Sequence, residues 1–252
     1  MKKISVLNLK GGIGKTATST SIAYLLSTEF DKKILLVDCD QQGNASMIFN
    51  IFDEESKGTH NLLTGEDDPV SLMKEINKNL LVIPTNMYLM KSNAEILTDC
   101  ENNQIEQFKN QLEDIEEYFD YCIFDCGLSL DMCVLNALVA SDLIISPIKF
   151  GGHEIGAFEE LLSQVEDLKS INPGIKVKAL MTMRQANKAS KEFETWLKEE
   201  SKYSCFKTSI RRSVVAEKAA YNMRPIPEQS KNGIVTKDYR ELVKEIIKEM
   251  EV

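Results

Sequence analysis

The 252-residue chain has no apolar run approaching the ~18 residues of a membrane span. Its N-terminus lacks the basic, apolar and small-residue succession of a secretory leader, because residues 4–9 run straight into a glycine loop. The six cysteines, at 39, 100, 122, 126, 133 and 205, form no C-x-x-C pair and no zinc spacing. They read as reduced structural thiols, two of them inside apolar runs, and the chain reads as cytoplasmic. Histidine is scarce: His60 and His153 stand isolated and read as structural or surface positions. There is no repeat, low-complexity segment or linker. The length suits one large α/β domain or two small ones, and a single domain over 1–252 is expected.

The net charge of −9 argues against nucleic acid, but it is an average. Residues 176–240 hold 15 Lys/Arg against 7 Asp/Glu, while the remainder holds 15 against 32. A basic segment on an acidic body can present one positive face. Scattered solvated charges would give the same count, and composition leaves both readings open.

Short apolar, β-branched runs recur at 4–9, 33–38, 80–84, 121–125, 143–147 and 175–181. Helical patterns stand near 15–28 and at 103–118, 131–140, 154–170 and 188–201. Fully apolar runs of this length suit strands covered on both faces. The alternation predicts an α/β fold: a doubly wound, mostly parallel sheet flanked by helices. Residues 52–69 read as a polar, loop-rich surface insert. The tail 238–252 puts Leu242, Val243, Ile246, Ile247 and Met250 on one helical face, with three positive and five negative charges. A membrane-surface helix would prefer a basic polar face, so the tail is expected to dock on the core.

"GGIGKT" (11–16) follows a strand and opens a helix, the setting a phosphate loop requires. Gly11, Gly12 and Gly14 let the backbone approach phosphate oxygens, and backbone N–H groups with the helix N-terminus face the anion. Lys15 is placed to neutralise β/γ oxygens. The Thr16 hydroxyl is placed to ligate Mg²⁺, which keeps several waters and takes few protein ligands. Asp38 and Asp125 end two further strands and are candidates to hold Mg²⁺ through its waters. Asp40, two residues beyond Asp38, is placed to orient or deprotonate an attacking water. A helix or turn cap is the alternative for any one of these acids.

Several stretches resemble one family. "KGGIGKT" (10–16) resembles the deviant Walker A motif K-G-G-x-G-K-[ST] of the ParA/MinD ATPases. "LLVDCDQQGNAS" (35–46) resembles their D-x-D-P-Q-G-N segment. "DYCIFDCGLSLDMCVLNALVASD" (120–142) resembles their second strand and the switch that follows it. "LLVIPTNMYLMKSNAEI" (80–96) and "SIRRSVVAEKAA" (209–220) follow the ParA branch.

The resemblance implies a P-loop ATPase that uses ATP and Mg²⁺. Lys10, Gly11, Gly12, Gly14, Lys15, Thr16 and Ala17 would hold the nucleotide. It implies an ATP-dependent homodimer in which Lys10 crosses to the partner's ATP, offsetting charge where water is excluded. It further implies weak hydrolysis, non-specific DNA binding through the stretch holding Arg211, Arg212, Lys218 and Arg224, and release by a ParB-like adaptor on the nucleoid. Three departures stand out: Gln41 replaces the usual proline, Gly127-Leu128 replaces Pro-Pro, and Ile210 replaces proline before Arg211.

No helix-turn-helix segment precedes the loop, so sequence-specific operator binding is not expected. A MinD-like membrane regulator is the alternative, against which the acidic tail counts. A small-molecule ligase would need a further catalytic cluster, and none is found. An iron–sulfur dimer would need an interface cysteine well after Asp125, whereas Cys133 falls within the next helix.

Overall fold

The apolar runs become strands with both faces buried. A computed structural model describes residues 1–98, 104–151 and 154–251; Cys100 and His153 lie outside them. Among the described residues, the strands are β1 (Lys2–Val6), β2 (Ile34–Cys39), β3 (Lys74–Asn77), β4 (Leu80–Ile83), β5 (Tyr121–Cys126), β6 (Leu143–Lys149) and β7 (Lys176–Thr182). They form one sheet in the order β3-β4-β2-β5-β1-β6-β7. Every pairing is parallel except β3 with β4.

Side chains alternate between two cores, as the strand period demands. Leu35, Val37, Cys39, Cys122 and Phe124 enter one. Ile4, Val6, Ile34, Leu36 and Ile123 enter the other. This is why the central strands read as unbroken apolar runs rather than alternating ones.

The helices are α1 (Lys15–Glu29), α2 (Asn44–Ile48), α3 (Thr59–Thr64), α4 (Pro69–Leu72), α5 (Tyr88–Thr98), α6 (Gln107–Glu113), α7 (Met132–Ala140), α8 (Glu154–Leu168), α9 (Lys188–Thr195), α10 (Val214–Tyr221), α11 (Ile226–Gln229) and α12 (Ile234–Met250). α3, α5, α6, α7 and α8 cover the first core, and α1 and α12 cover the second. The doubly wound, mostly parallel α/β fold expected from the alternation is the fold observed.

α1 is rich in Thr and Ser, yet largely buried. The Thr18 and Thr20 hydroxyls donate to the carbonyls of Gly14 and Thr16, four residues back, at 2.7 and 2.6 Å. Such back-bonding satisfies most of the hydroxyls a polar helix carries into a core, although Ser21 Oγ is buried without a partner. On α12, Leu242, Val243, Ile246 and Met250 are buried, so the tail docks on the core. No helix among the described residues is long and apolar enough to cross a membrane.

Three expectations need correction. The 52–69 insert is not merely a surface loop, because α3 buries Leu62 and Leu63 fully. The Thr59 hydroxyl also donates to the Asp38 carbonyl at 2.7 Å. The helix expected over 103–118 is, within the described residues, only α6 followed by a 3₁₀ turn at Glu116–Tyr118. The helix over 188–201 ends at Thr195 and continues as one π-turn, Trp196–Glu200. α5 and the edge strand β3 were not foreseen. β3 is four residues long with one large apolar side chain, Ile76, too little for a period to register.

Candidate nucleotide site

β1 ends beside Asp125, since Val6 is its register partner on β5. The chain then turns back over the sheet, and Asn8 fixes the turn. Its Nδ2 donates to Ser146 Oγ at 3.1 Å and to the Pro147 carbonyl at 3.0 Å, while its Oδ1 accepts from the Lys10 amide at 3.0 Å. Ile13 is buried, and its carbonyl accepts from the Thr182 hydroxyl at 2.8 Å. Between these anchors the loop reaches left-handed φ values of 67° at Gly12 and 91° at Gly14, where a Cβ would be strained. No side chain caps α1. Its first N–H groups and the positive end of its dipole therefore face the loop, as an anion site needs.

Lys15 lies inside this turn and donates to the Lys10 carbonyl at 3.2 Å. Burial holds its ammonium pKa below the ordinary lysine value, although Asp125 and Asp40 pull the other way. Lys10 itself is exposed at the rim.

Asp38 and Asp125 face each other in register on β2 and β5, and both are fully buried. Burial lifts both carboxyls above the ordinary range, and for Asp38 the charge of Asp125 adds to the effect. Their hydrogen bonding differs. Asp38 Oδ2 accepts from the Ser46 amide at 2.8 Å and the Ser46 hydroxyl at 2.7 Å, and its Oδ1 accepts from the Asp40 amide at 3.3 Å. Asp125 Oδ1 accepts from Ser19 Oγ at 2.8 Å. Asp125 Oδ2 is buried without a partner.

No three His, Cys, Asp or Glu side chains among the described residues converge on a metal position. That excludes a side-chain cage of the zinc kind there but not Mg²⁺, which needs few protein ligands. The Thr16 hydroxyl and the open oxygen of Asp125 are hard donors, and they fit it.

Asp40 is half-buried just past β2, and its Oδ1 accepts from the Gln42 amide at 3.0 Å. A Cβ on Gly127 would sit 3.6 Å from Asp40 Cγ, and the Leu128 side chain would lie 3.8 Å from a Cβ on Gly11. The Gly127-Leu128 segment thus bridges Asp40 and the phosphate loop. The structure brings together Lys10, the glycines, Lys15, Thr16, Ala17, Asp38, Asp40 and Asp125.

Beyond Gly14 and Ala17 opens a cleft of 410 Å³, lined among others by Phe150, Met183, Ile210 and Tyr239. Ile210, the departure from proline, is one of its walls. The basic segment behaves less uniformly. Arg211 turns inward: its backbone amide donates to Asp238 Oδ2 at 3.0 Å and its Nε donates to the same oxygen at 2.9 Å. Arg212, Lys218 and Arg224 remain exposed around α10. Arg212 lies 3.5 Å from Glu217, and Arg224 lies 3.9 Å from Glu228. His60 is half-buried against Tyr88, with ring centroids 5.6 Å apart.

Residues 1–177 match a family model described as an AAA domain. The sporulation initiation inhibitor protein Soj of Bacillus subtilis (strain 168) is 30% identical over 251 residues, spanning 97% of this chain and 98% of that protein. The chain belongs to the ParA/MinD family of ATPases. Within it, two sequence relatives of this ParA-family chain are named for chromosome partitioning. The chromosome partitioning protein ParA of Myxococcus xanthus (strain DK1622) is 28% identical over 181 residues, 71% of this chain and 63% of that protein.

Solved structures share the fold of this ParA-family chain. Apo McdA of Cyanothece superposes with a TM-score of 0.85 at 23% identity, covering 98% of this chain and 99% of that one. Cobyrinic acid a,c-diamide synthase of Mycobacterium smegmatis, with an ATP analogue and magnesium bound, gives 0.85 at 23%, covering 100% and 96%.

Sequence reading missed the residues that hold the site: Asn8, Ser19, Ser46, Thr182 and Asp238. Ser19 and Ser46 carried a faint signal, one falling a turn after Lys15 and the other inside the "GNAS" stretch.

Proposed function

We propose that residues 1–252 act as one ATP-hydrolysing domain that switches between monomer and homodimer and, as a dimer, binds DNA without sequence preference. The observation carrying this reading is the open oxygen of Asp125, buried beneath the uncapped N-terminus of α1 beside Lys15 and Thr16. Two buried acids and a buried lysine below a glycine loop are costly on their own, and a magnesium nucleotide offsets all three charges.

In this reading the loop N–H groups and Lys15 hold the phosphates. Thr16 and Asp125 hold the ion, with Asp38 beside them. Mg²⁺, when bound, supplies charge neutralisation at the β/γ oxygens. Asp40 orients the attacking water and takes its proton. Lys10 serves the other subunit, where its exposure at the rim leaves it free to reach. Loss of the γ-phosphate weakens the dimer and releases DNA. Arg212, Lys218 and Arg224 supply phosphate contacts that position without reading bases, and a ParB-like adaptor accelerates turnover on the nucleoid.

The deciding experiment is light scattering with Asp40→Ala saturated in ATP–Mg²⁺, followed by DNA binding across a salt series. Dimers that bind DNA in ATP but not in ADP support the reading. Monomers throughout, or DNA binding indifferent to the nucleotide, refute it.

A further inference from the structure

We propose that Phe150 forms the stacking wall for the nucleotide base, so that base affinity and base choice in this chain rest on an aromatic ring supplied from the end of β6. This rests on the nucleotide reading above. Phe150 follows β6 directly and keeps 45% of its surface exposed, although it lines the 410 Å³ cleft. Covering that exposed ring with a flat ligand would remove apolar surface from water.

Its orientation is supported from behind. The Phe193 ring meets it edge-on, with centroids 5.6 Å apart and planes at 65°. Phe193 in turn lies 5.7 Å from Trp196 and packs against the first core. The ring is therefore braced on one side and open on the other. The same cleft begins at Gly14 and Ala17, where the phosphates enter. Ile210 and Ala216, branched or small side chains, line the same cleft. A cleft of mixed apolar and polar lining that holds an exposed, braced phenylalanine and is contiguous with an anion site suits a base attached to its phosphates.

The test is calorimetry on the full chain with Mg²⁺, using two probes, ADP and inorganic tripolyphosphate. ADP is chosen because it binds without asking for the dimer. Base–aromatic stacking predicts that Phe150→Ala weakens ADP roughly 5- to 150-fold. Tripolyphosphate affinity should not change, and Phe150→Trp should keep ADP within a few-fold of the native value. The preference for ADP over a pyrimidine diphosphate should shrink in Phe150→Ala, since purines offer the larger stacking face.

Unchanged ADP affinity in Phe150→Ala overturns the proposal, and so does an equal loss for both probes, which would mean the loop had moved. A native chain that binds neither probe overturns the nucleotide reading itself. A native chain that binds both, with Phe150→Ala losing neither, overturns only the role of Phe150.

Discussion

Arg211 is tied to Asp238 by its backbone amide and by its guanidinium, and the pairing clamps the chain after Ile210 onto α12. Hydrogen bonding to Asp238, helped by that carboxylate's charge, holds the guanidinium pKa above its ordinary value. An arginine in that position supports the cleft wall rather than reaching for a polyanion. Arg211→Ala and Asp238→Ala are each expected to lower stability by about 1–2 kcal/mol, discounted because the Arg211 side chain is partly exposed. The double variant should lose less than the sum of the two. Thermal unfolding of the four proteins checks this, and additive losses would show that the pair is not coupled.

Arg212, Lys218 and Arg224 should behave in the opposite way. Each faces solvent around α10 with at most a surface ion pair, so replacing one with Ala should move the unfolding temperature little. Each should weaken DNA binding uniformly across sequences and reduce the slope of log affinity against log salt by about 1. A variant that loses affinity for one sequence alone would contradict a phosphate-only contact.

Glu194 gives a pH-dependent prediction. Burial would raise its pKa, but hydrogen bonds from Lys198, Ser209 and Arg184 outweigh burial and hold it at about 2, against 4.5 for a free side chain. A folded-state pKa below the unfolded one means stability that is fully present above 4.5 and lost as pH falls towards 2. Native protein should therefore exceed Glu194→Gln in stability at neutral pH, and the gap should close between those limits. A gap independent of pH would mean that the cluster stabilises by packing alone.

The parts that sequence could supply were those with a repeating physical signature. β2 and β5 were legible because strands covered on both faces leave continuous apolar runs. The loop was legible because left-handed turns and close phosphate approach select glycine at Gly12 and Gly14. α3 was not legible: it is six residues long, and Leu62-Leu63 amid polar neighbours shows no period. Nor could charge counting tell Arg211 from Arg212, because the difference lies in Asp238, 27 residues away in sequence. Ser19 and Ser46 matter through the acids they bond, which only the register of β2 against β5 brings to one place.

Asp125 supplies the sharpest contrast between stability and function. Its carboxyl is buried, and burial raises its pKa above the free value of 3.8. A raised folded-state pKa means that stability is highest below the unfolded value and declines as pH rises through the folded one, because the charge must then be carried in the core. At neutral pH the charged carboxylate is therefore carried in the core at a cost, which Mg²⁺ held there, as proposed above, would offset. Asp125→Asn should make the nucleotide-free protein as stable as the native chain or more so, since Ser19 can still bond the amide oxygen. Saturating ATP–Mg²⁺ should raise the native unfolding free energy by about 2.7 kcal/mol at a hundredfold excess over Kd. The variant should keep whatever increment ATP gives in EDTA and lose the part that depends on the ion. Scanning calorimetry of both proteins with ATP, in EDTA and in Mg²⁺, separates the two increments. If the Mg²⁺-dependent part survives in Asp125→Asn, the ion is held elsewhere.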